Sequence, residues 1–279
     1  MLSMSEPLEL HAYAKVNLGL NIIAKRGDGY HEVDTLMAKV SVFDTVRLEP
    51  SSSVTLDVQG ADLGEQEDNL AFRAARLYLE ATQQDEGVHI TLEKRIPVAA
   101  GLGGGSSDAG AVLRGLSQLY PKEVDFLELA KALGSDVPFF TRDLSAARAR
   151  GRGEELEEVA IPELHLVLLN PGVEVSAKSA YENLQNFSPR LELGRLLESL
   201  KPEKKPVYVN ALQPGVMLQD PYIREVITAL RLVGLRGVMM SGSGSTCFGI
   251  ARDEAHAKEV EEEFVEMYPH WWAKAVRTL

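Results

Sequence analysis

The sequence contains a single cysteine, Cys247, among its 279 residues. A disulfide within the chain and a cysteine-based zinc site each need at least two sulfur atoms, so both are excluded. Glycine (23 residues) and proline (13 residues) are not in excess, and hydrophobic residues make up 45% of the chain. These proportions exclude a collagen-like fibre and a disordered chain, and they predict a globular protein.

Positive charge is also in short supply, because 29 Lys and Arg residues face 41 Asp and Glu residues, which gives a formal charge of −12. Nucleic acid and anionic membranes attract clustered Lys and Arg, so we expect neither as a partner. No aliphatic run approaches the roughly 20 residues of a membrane span. Residues 1–10 show none of the features of an export or organelle signal, and we expect a cytoplasmic protein.

Alternating apolar residues predict strands, and apolar residues at helical spacing predict helices. Asp68 or Asn69 is expected to cap the first helix, and Ser106 or Ser107 the second. Both halves of the chain mix the two kinds of element, which predicts an α/β or α+β protein with two domains, 1–160 and 161–279. Strands are predicted near 14–20, 40–48, 88–96, 164–169, 237–240, 246–250 and 272–277, and helices near 70–78, 106–116, 126–133, 176–184, 221–233 and 253–267.

A glycine-rich loop lies between a predicted strand and a predicted helix. Glycines there let backbone N–H groups approach phosphate oxygens at the positive end of a helix, although a turn tightened for packing is the alternative. Ser106 stands where a Walker A loop needs Lys and where the dinucleotide fingerprint needs Gly, so this phosphate loop is of another kind. Its residues are Pro97, Val98, Ala99, Ala100, Gly101, Leu102, Gly103, Gly104, Gly105, Ser106 and Ser107.

A second glycine cluster, residues 241–246 (SGSGST), lies between two predicted strands. A Gly-Ser hairpin turn has the same composition, so this cluster alone is a weak signal. The six histidines form no H-E-x-x-H pattern, and no G-x-S-x-G elbow is present. These absences argue against a zinc peptidase and an α/β-hydrolase.

Three segments together resemble the motifs of the galactokinase, homoserine kinase, mevalonate kinase and phosphomevalonate kinase superfamily. They are residues 14–17 (AKVN), the 97–107 loop and residues 241–246, in the same order and spacing. Residues 28–31 (DGYH), together with EDNL at 67–70 and GSDVP at 134–138, are similar to one branch of it. That branch phosphorylates the 2-hydroxyl group of a methylerythritol unit linked to cytidine diphosphate, in the non-mevalonate route to isoprenoid precursors.

The resemblance covers most of the chain and implies an α+β fold. The N-terminal domain would resemble domain 2 of ribosomal protein S5, the C-terminal domain would be ferredoxin-like, and the active site would lie in the cleft between them. ATP with Mg²⁺ is the implied phosphoryl donor, bound by the 97–107 loop. The resemblance matches Lys15 and Asp136 to the catalytic pair. It matches Asn17, Tyr30, His31 and Tyr181 to substrate contacts, with the two tyrosines on opposite faces of the cytosine.

Asp108 and Gly110 depart from the branch, because Asn and Ala are frequent at these two positions.

Phosphoryl transfer needs a positive charge beside the phosphate oxygens and an oriented hydroxyl group. Lys15 suits the first role and Asp136 the second. Taken singly, Lys15 is also typical of a solvated strand residue and Asp136 of a helix cap.

Two rival interpretations of the whole protein are a homoserine or mevalonate kinase and a non-catalytic nucleotide-binding module. The sequence leaves open the magnesium ligands and whether the protein is a monomer or a homodimer.

Overall fold

The structure, a computed structural model, describes residues 7–202, 204–207 and 209–279. Residues 1–6, part of the segment inspected for targeting signals, lie outside it. The described chain forms two compact units, which we call unit 1 and unit 2. Unit 1 contains the chain up to Ala14, Val42–Val98 and Gly103–Leu144, and unit 2 contains Lys15–Ser41, Ala99–Leu102 and Ser145–Leu279.

Strands and helices are distributed over the whole described chain. The strands are β1 (Leu8–Lys25), β2 (His31–Ser51), β3 (Thr55–Gln59), β4 (Gly87–Glu93), β5 (Ala146–Gly151), β6 (Glu155–Glu158), β7 (His165–Asn170), β8 (Arg236–Met240), β9 (Cys247–Ile250) and β10 (Trp272–Arg277). The helices are α1 (Leu70–Ala81), α2 (Gly104–Leu119), α3 (Phe126–Leu133), α4 (Val137–Thr141), α5 (Ala177–Glu182), α6 (Leu193–Ser199), α7 (Gln213–Gln219), α8 (Pro221–Leu232) and α9 (Glu254–Met267).

Unit 1 packs helices α1 to α4 around a core that includes Tyr78, Ile90 and Leu116. The second half of β2 pairs antiparallel with β4, and β3 pairs parallel with β4, so the sheet is mixed. Asn69 caps α1, because its side chain accepts a hydrogen bond from the N–H of Ala71 at 2.8 Å. This confirms the cap predicted from the sequence.

Helix α2 begins earlier than the sequence predicts. Gly103 is its N-cap residue with φ of 71°, and Gly104 is the first helical residue. The expectation of a serine cap at Ser106 or Ser107 was therefore wrong. A left-handed backbone carries no steric penalty at glycine, so the helix starts inside the glycine run.

Unit 2 contains the first half of β2, which pairs antiparallel with β5, and β5 pairs with β6. A second, antiparallel sheet has the strand order β10, β7, β9, β8, and α8 and α9 pack on its strands. Val167, Ile227, Leu230 and Phe264 are buried in its core. Strand β6 (Glu155–Glu158) ends two residues before residue 160, where the sequence predicts the domain boundary. The architecture is α+β, and the boundary at residue 160 stays a prediction.

In the part of the chain that the structure describes, we find no helix with the length and apolar composition that crossing a membrane requires.

Candidate active site

Strand β1 places the side chains of Lys15 and Asn17 on one face, because residues two apart in a strand point the same way. Both residues are buried, each 4% exposed. Lys15 Nζ donates hydrogen bonds to Asn17 Oδ1 at 2.6 Å and to the carbonyl oxygen of Gly101 at 3.1 Å. The N–H of Lys15 also donates to the carbonyl oxygen of Leu102 at 2.9 Å. The first motif therefore contacts the part of the glycine-rich loop that belongs to unit 2, Ala99–Leu102, which we call the tip of the loop.

The third motif, residues 241–246, contacts the same tip. Ser241 Oγ donates to the carbonyl oxygen of Gly101 at 3.0 Å. The N–H of Thr246 donates to the carbonyl oxygen of Ala100 at 3.2 Å. Parts of all three sequence motifs are thus joined by hydrogen bonds in unit 2.

Glycine is required at two positions of this contact. A Cβ atom on Gly101, whose φ is +73°, would lie 2.2 Å from the carbonyl oxygen of Ser241. A Cβ atom on Gly242, whose φ is +55°, would lie 3.2 Å from Lys15 Nζ. Any larger residue would separate the backbones or displace the lysine.

The remainder of the glycine-rich loop begins helix α2 in unit 1. The N–H of Ser107 donates to the carbonyl oxygen of Gly103, which is the first bond of the helix. The preceding N–H groups of the first turn have no acceptor inside the helix and carry the positive end of its dipole. The half-loop of residues 103–107 therefore has the geometry of a phosphate-binding helix start.

A buried ion cluster lies beside this helix start. Lys94 Nζ contacts a carboxylate oxygen of Asp44 and lies 2.7 Å from Asp108 Oδ2. The other oxygen of Asp44 accepts hydrogen bonds from the N–H groups of Arg95 and Ile96. Asp44 thus binds both the lysine and the chain that leads into the glycine-rich loop.

Burial and the neighbouring Asp44 raise the pKa of Asp108 to about 7, although Lys94 acts in the opposite direction. Burial alone would lower the pKa of Lys94, but the two carboxylates outweigh it and raise that pKa. Within the described part of the chain, Asp108 Oδ1 is buried with no hydrogen-bond partner. Lys94 therefore provides one positive charge for two carboxyl groups, and the carboxyl group of Asp108 keeps its proton to a higher pH than usual.

Asp136 lies at the N-cap position of α4, where the sequence also places it, and belongs to unit 1. Its carboxylate makes no capping hydrogen bond to the first turn of α4, all of which is described. Pro138 stands in that first turn and supplies no N–H group. The alternative of a purely structural helix cap therefore loses its main support.

The predicted substrate-binding aromatic residues belong to unit 2. The ring of His31 stacks on the ring of Tyr181, with centroids 5.0 Å apart. Tyr30 is 52% exposed, and the Arg152 guanidinium group lies 4.7 Å from its ring centroid. The structure brings His31 and Tyr181 together and leaves one tyrosine face beside a cation. A cytosine between the two tyrosines stays a prediction.

The imidazole of His31 is suited to recognise a neutral base. Burial, with a contribution from the charge of Lys25, lowers the pKa of His31. The ring is therefore neutral at pH 7 and offers one donor and one acceptor nitrogen. Asp28 fixes the adjacent turn, because its carboxylate accepts a hydrogen bond from the N–H of Tyr30 at 3.1 Å.

Sequence reasoning missed the ion cluster and the cation on Tyr30. Asp44 was visible as a charged interruption of an apolar strand, which is a signal for a buried ion pair. Lys94 and Arg152 carried no such signal, because their partners are distant in the sequence.

Residues 69–143 match the N-terminal domain of GHMP kinases, and residues 180–270 match the GHMP kinase C-terminal domain. With the fold described above, these matches define a small-molecule kinase. A homoserine kinase from Cytophaga hutchinsonii is similar in fold, with a TM-score of 0.71 at 18% sequence identity, covering 100% of this chain and 96% of its own.

Relatives of higher identity narrow the class. A 4-diphosphocytidyl-2-C-methyl-D-erythritol kinase of Thermus thermophilus is 48% identical over 91% of this chain and 92% of its own. The enzyme of the same name from Deinococcus radiodurans is 44% identical over 95% and 91%. A crystal structure of 4-(cytidine 5'-diphospho)-2C-methyl-D-erythritol kinase, 45% identical, superposes with a TM-score of 0.86 over 96% of this chain and 99% of its own. The chain belongs to the 4-diphosphocytidyl-2-C-methyl-D-erythritol kinase family.

Membership of this family implies ATP as the phosphoryl donor and a small molecule as its acceptor. Among the described residues there is no cluster of three or more histidine, cysteine or acidic side chains that would hold a metal ion by itself. A metal that travels with the phosphates of a nucleotide needs no such cluster, because the phosphates and waters supply most of its ligands.

Proposed function

We propose that this protein transfers the γ-phosphoryl group of ATP to the 2-hydroxyl group of 4-diphosphocytidyl-2-C-methyl-D-erythritol, producing the 2-phosphate and ADP. The observation that carries the proposal is the shared carbonyl oxygen of Gly101, to which Lys15 and Ser241 both donate. Three kinase motifs, far apart in the sequence, meet at this atom. The relatives from Thermus thermophilus and Deinococcus radiodurans are named as kinases of this substrate.

ATP would bind along the glycine-rich loop, residues 97–107. The first turn of α2 offers N–H groups and a positive helix end to the phosphates. The tip of the loop is held by Lys15 and Thr246, so its shape is fixed on the side of unit 2. A loop that is already in place loses little conformational entropy when a nucleotide binds.

The transfer itself asks for positive charge and an oriented nucleophile. Lys15 supplies an ammonium group whose position is set by Asn17 and Gly101. Asp136 accepts or orients the proton of the 2-hydroxyl group. The bond between the γ-phosphorus and the ADP oxygen breaks as the bond to the 2-oxygen forms, and the hydroxyl proton passes to the carboxylate.

Magnesium would accompany ATP, and the oxygen donors of unit 1 fit it. Mg²⁺ prefers hard oxygen ligands and keeps several waters, binding through one or two protein groups and the phosphates. The Ser107 hydroxyl group in the first turn of α2 is a donor of this kind. When bound, Mg²⁺ neutralises charge on the phosphate oxygens.

The second substrate would be bound by four residues of unit 2, which are Asn17, Tyr30, His31 and Tyr181. Tyr30 offers an exposed ring for stacking on the cytosine, and the neutral His31 offers hydrogen bonds to its edge. Asn17 lies beside Lys15 and would contact the methylerythritol unit close to the reacting hydroxyl group.

We further propose an N-terminal ATP- and substrate-binding domain over 1–160, a C-terminal domain over 161–279 and a cytoplasmic location. The two family matches support the division, because they fall at 69–143 and 180–270, on either side of residue 160.

The test is ADP release by the purified protein with ATP, Mg²⁺ and each of three acceptors: the cytidine diphosphate substrate, homoserine and mevalonate. We expect turnover with the first acceptor alone, and phosphorus NMR of the product shows a new monophosphate ester at the 2-position. Lys15→Met, in which an uncharged chain replaces the ammonium group, serves as the inactive control.

Turnover with homoserine or mevalonate and none with the cytidine substrate overturns the proposed acceptor. Nucleotide binding with no turnover on any of the three supports the non-catalytic module instead.

A further inference from the structure

Thr35 on strand β2 lies behind the pair formed by Lys15 and Asn17. Thr35 is 3% exposed. Its Oγ1 atom donates a hydrogen bond to the carbonyl oxygen of Gly19 at 2.6 Å and accepts one from Asn17 Nδ2 at 2.8 Å. All four residues belong to unit 2.

The hydroxyl group of Thr35 determines which end of the Asn17 amide faces it. A hydroxyl group has one proton, and Thr35 gives that proton to Gly19, whose carbonyl oxygen can only accept. Toward Asn17 the hydroxyl oxygen is therefore an acceptor, and only the NH₂ end of the amide satisfies it. The oxygen end then faces Lys15 Nζ, which lies 2.6 Å away.

We propose that Thr35 is a positioning residue that fixes the orientation of the Asn17 amide and, through it, the position of the Lys15 ammonium group. The proposal rests on the proposed function, because it gives Lys15 a role in phosphoryl transfer. With the amide reversed, an NH₂ group would face the ammonium group, and two donors would oppose each other. The lysine would then lose one of its fixed acceptors and swing on its flexible side chain.

The rest of the site does not supply the same information. Ser241 Oγ approaches the backbone N–H of Asn17 at 3.4 Å and not its amide group. Gly101 holds Lys15 from its carbonyl oxygen, which constrains the lysine and leaves the Asn17 amide unspecified. Gly242 has no side chain beside the amide, where a Cβ atom would lie 3.3 Å from Asn17 Oδ1, so this residue offers no side-chain group that distinguishes oxygen from nitrogen. Apart from Lys15, the group that the amide positions, only Thr35 among the described contacts of the amide distinguishes its oxygen end from its NH₂ end.

The decisive variant is Thr35→Val, which keeps the shape of the side chain and removes the hydroxyl group. We expect kcat to fall about 10- to 100-fold, because displacement of a reacting group by about 1 Å can cost that much. KM for ATP should stay within about twofold, because the loop keeps its hydrogen bonds to the backbone N–H groups of Lys15 and Thr246. Thr35→Ser, which restores the hydroxyl group, should return kcat to within about threefold of the parent.

Thr45→Val is the matched control. Thr45 lies on the same strand and is equally buried, at 3% exposed, but it belongs to unit 1. It should lower the melting temperature by a similar amount and leave kcat per folded molecule unchanged. Parental kcat in Thr35→Val, or the same loss of kcat in Thr45→Val, overturns the proposal.

A second readout is independent of turnover and separates this proposal from the proposed function. In ¹⁵N-labelled protein, the side-chain NH₂ protons of Asn17 should exchange slowly with solvent in the parent and in Thr35→Ser, and at least tenfold faster in Thr35→Val. A parent that is inactive on every acceptor but shows this exchange pattern refutes the function and supports the positioning. Equal exchange in all three proteins refutes the positioning.

Discussion

The carbonyl oxygen of Ser241 occupies the place that a side chain on Gly101 would need, because a Cβ atom there would lie 2.2 Å from it. The backbone of residues 241–246 therefore requires glycine at position 101 of the glycine-rich loop. A substitution at Gly101 acts on the phosphate loop through a backbone contact from the other end of the chain.

Gly101→Ala should abolish turnover and weaken ATP binding at least tenfold. The added methyl group forces the loop tip away from Ser241, and the φ of +73° is strained for alanine. Titration calorimetry with ATP and a melting curve on the same preparation measure this. Gly194→Ala is the control, since a Cβ atom there meets nothing within 4 Å. Parental ATP affinity in a folded Gly101→Ala protein contradicts the contact.

Asp136→Asn should lower kcat by roughly 10²–10⁴, because the amide keeps the size of the carboxylate and loses its basicity. A purely structural role predicts instead a lower melting temperature with unchanged kcat per folded molecule. Steady-state kinetics and thermal unfolding on one preparation separate the two roles. A destabilised variant with parental kcat would return Asp136 to a structural role.

Tyr30→Ala should weaken binding of the cytidine substrate by about 1–3 kcal/mol, the range for a base stacked on an aromatic ring. KM for ATP should be unchanged. Tyr222→Ala is a matched control, because Tyr222 lies on α8 in unit 2 and is also 52% exposed. Equal KM values for the cytidine substrate in the two variants would remove Tyr30 from the site.

Asp108 should make the stability of the protein depend on pH. Its pKa is raised to about 7 in the folded chain, and the value in the unfolded chain is about 3.9. Between these values the folded chain holds a proton that the unfolded chain releases. This contribution is therefore fully present below about pH 4 and is lost as the pH rises through about 7.

Urea unfolding of the parent and of Asp108→Asn from pH 5 to pH 8 measures the effect. The free energy of unfolding of the parent should fall relative to the variant as the pH rises. The difference between the parent and Asp85→Asn, which alters an exposed position in the same unit, should stay constant over this pH range. A constant difference between the parent and Asp108→Asn would place the Asp108 pKa near its ordinary value.

The Cys247 thiol should be unreactive in the folded protein. It is fully buried on β9, and burial raises its pKa, so the thiolate is scarce. A chromogenic disulfide reagent at pH 8 should release no colour until denaturant is added, and then one equivalent per chain. Rapid labelling of the native protein is the opposite result.

Local patterns were enough to place many elements. Helix α3 has the bounds that apolar spacing predicts, and β10 spans the predicted residues 272–277. These elements succeed because one face of each is apolar and its ends carry clear signals, such as Asp125 capping α3. The family and the three motifs were also visible, because each motif is a short continuous run.

Contacts between distant residues were beyond such patterns. Strand β2 was only partly predicted, because buried charges at Asp34 and Asp44 resemble interruptions. Arg148 on β5 neutralises Asp34 at 2.7 Å, and Lys94, which directly follows β4, neutralises Asp44, but each partner is distant in the sequence. In the sequence, Thr35 likewise has the pattern of an ordinary strand residue, and only the structure shows its hydrogen bonds with Asn17 and Gly19.

The contact of the three motifs has a consequence for the order in which the chain folds. Three of the hydrogen bonds that join the motifs connect residues that are far apart in the sequence, with separations of 86, 140 and 224 positions. Contacts across such separations form slowly, because the intervening chain must first be ordered. Helices such as α1 and α3 rest on local contacts and form early. During refolding, catalytic competence should therefore return after the helical signal, in the last step that brings the two ends of the chain to Gly101.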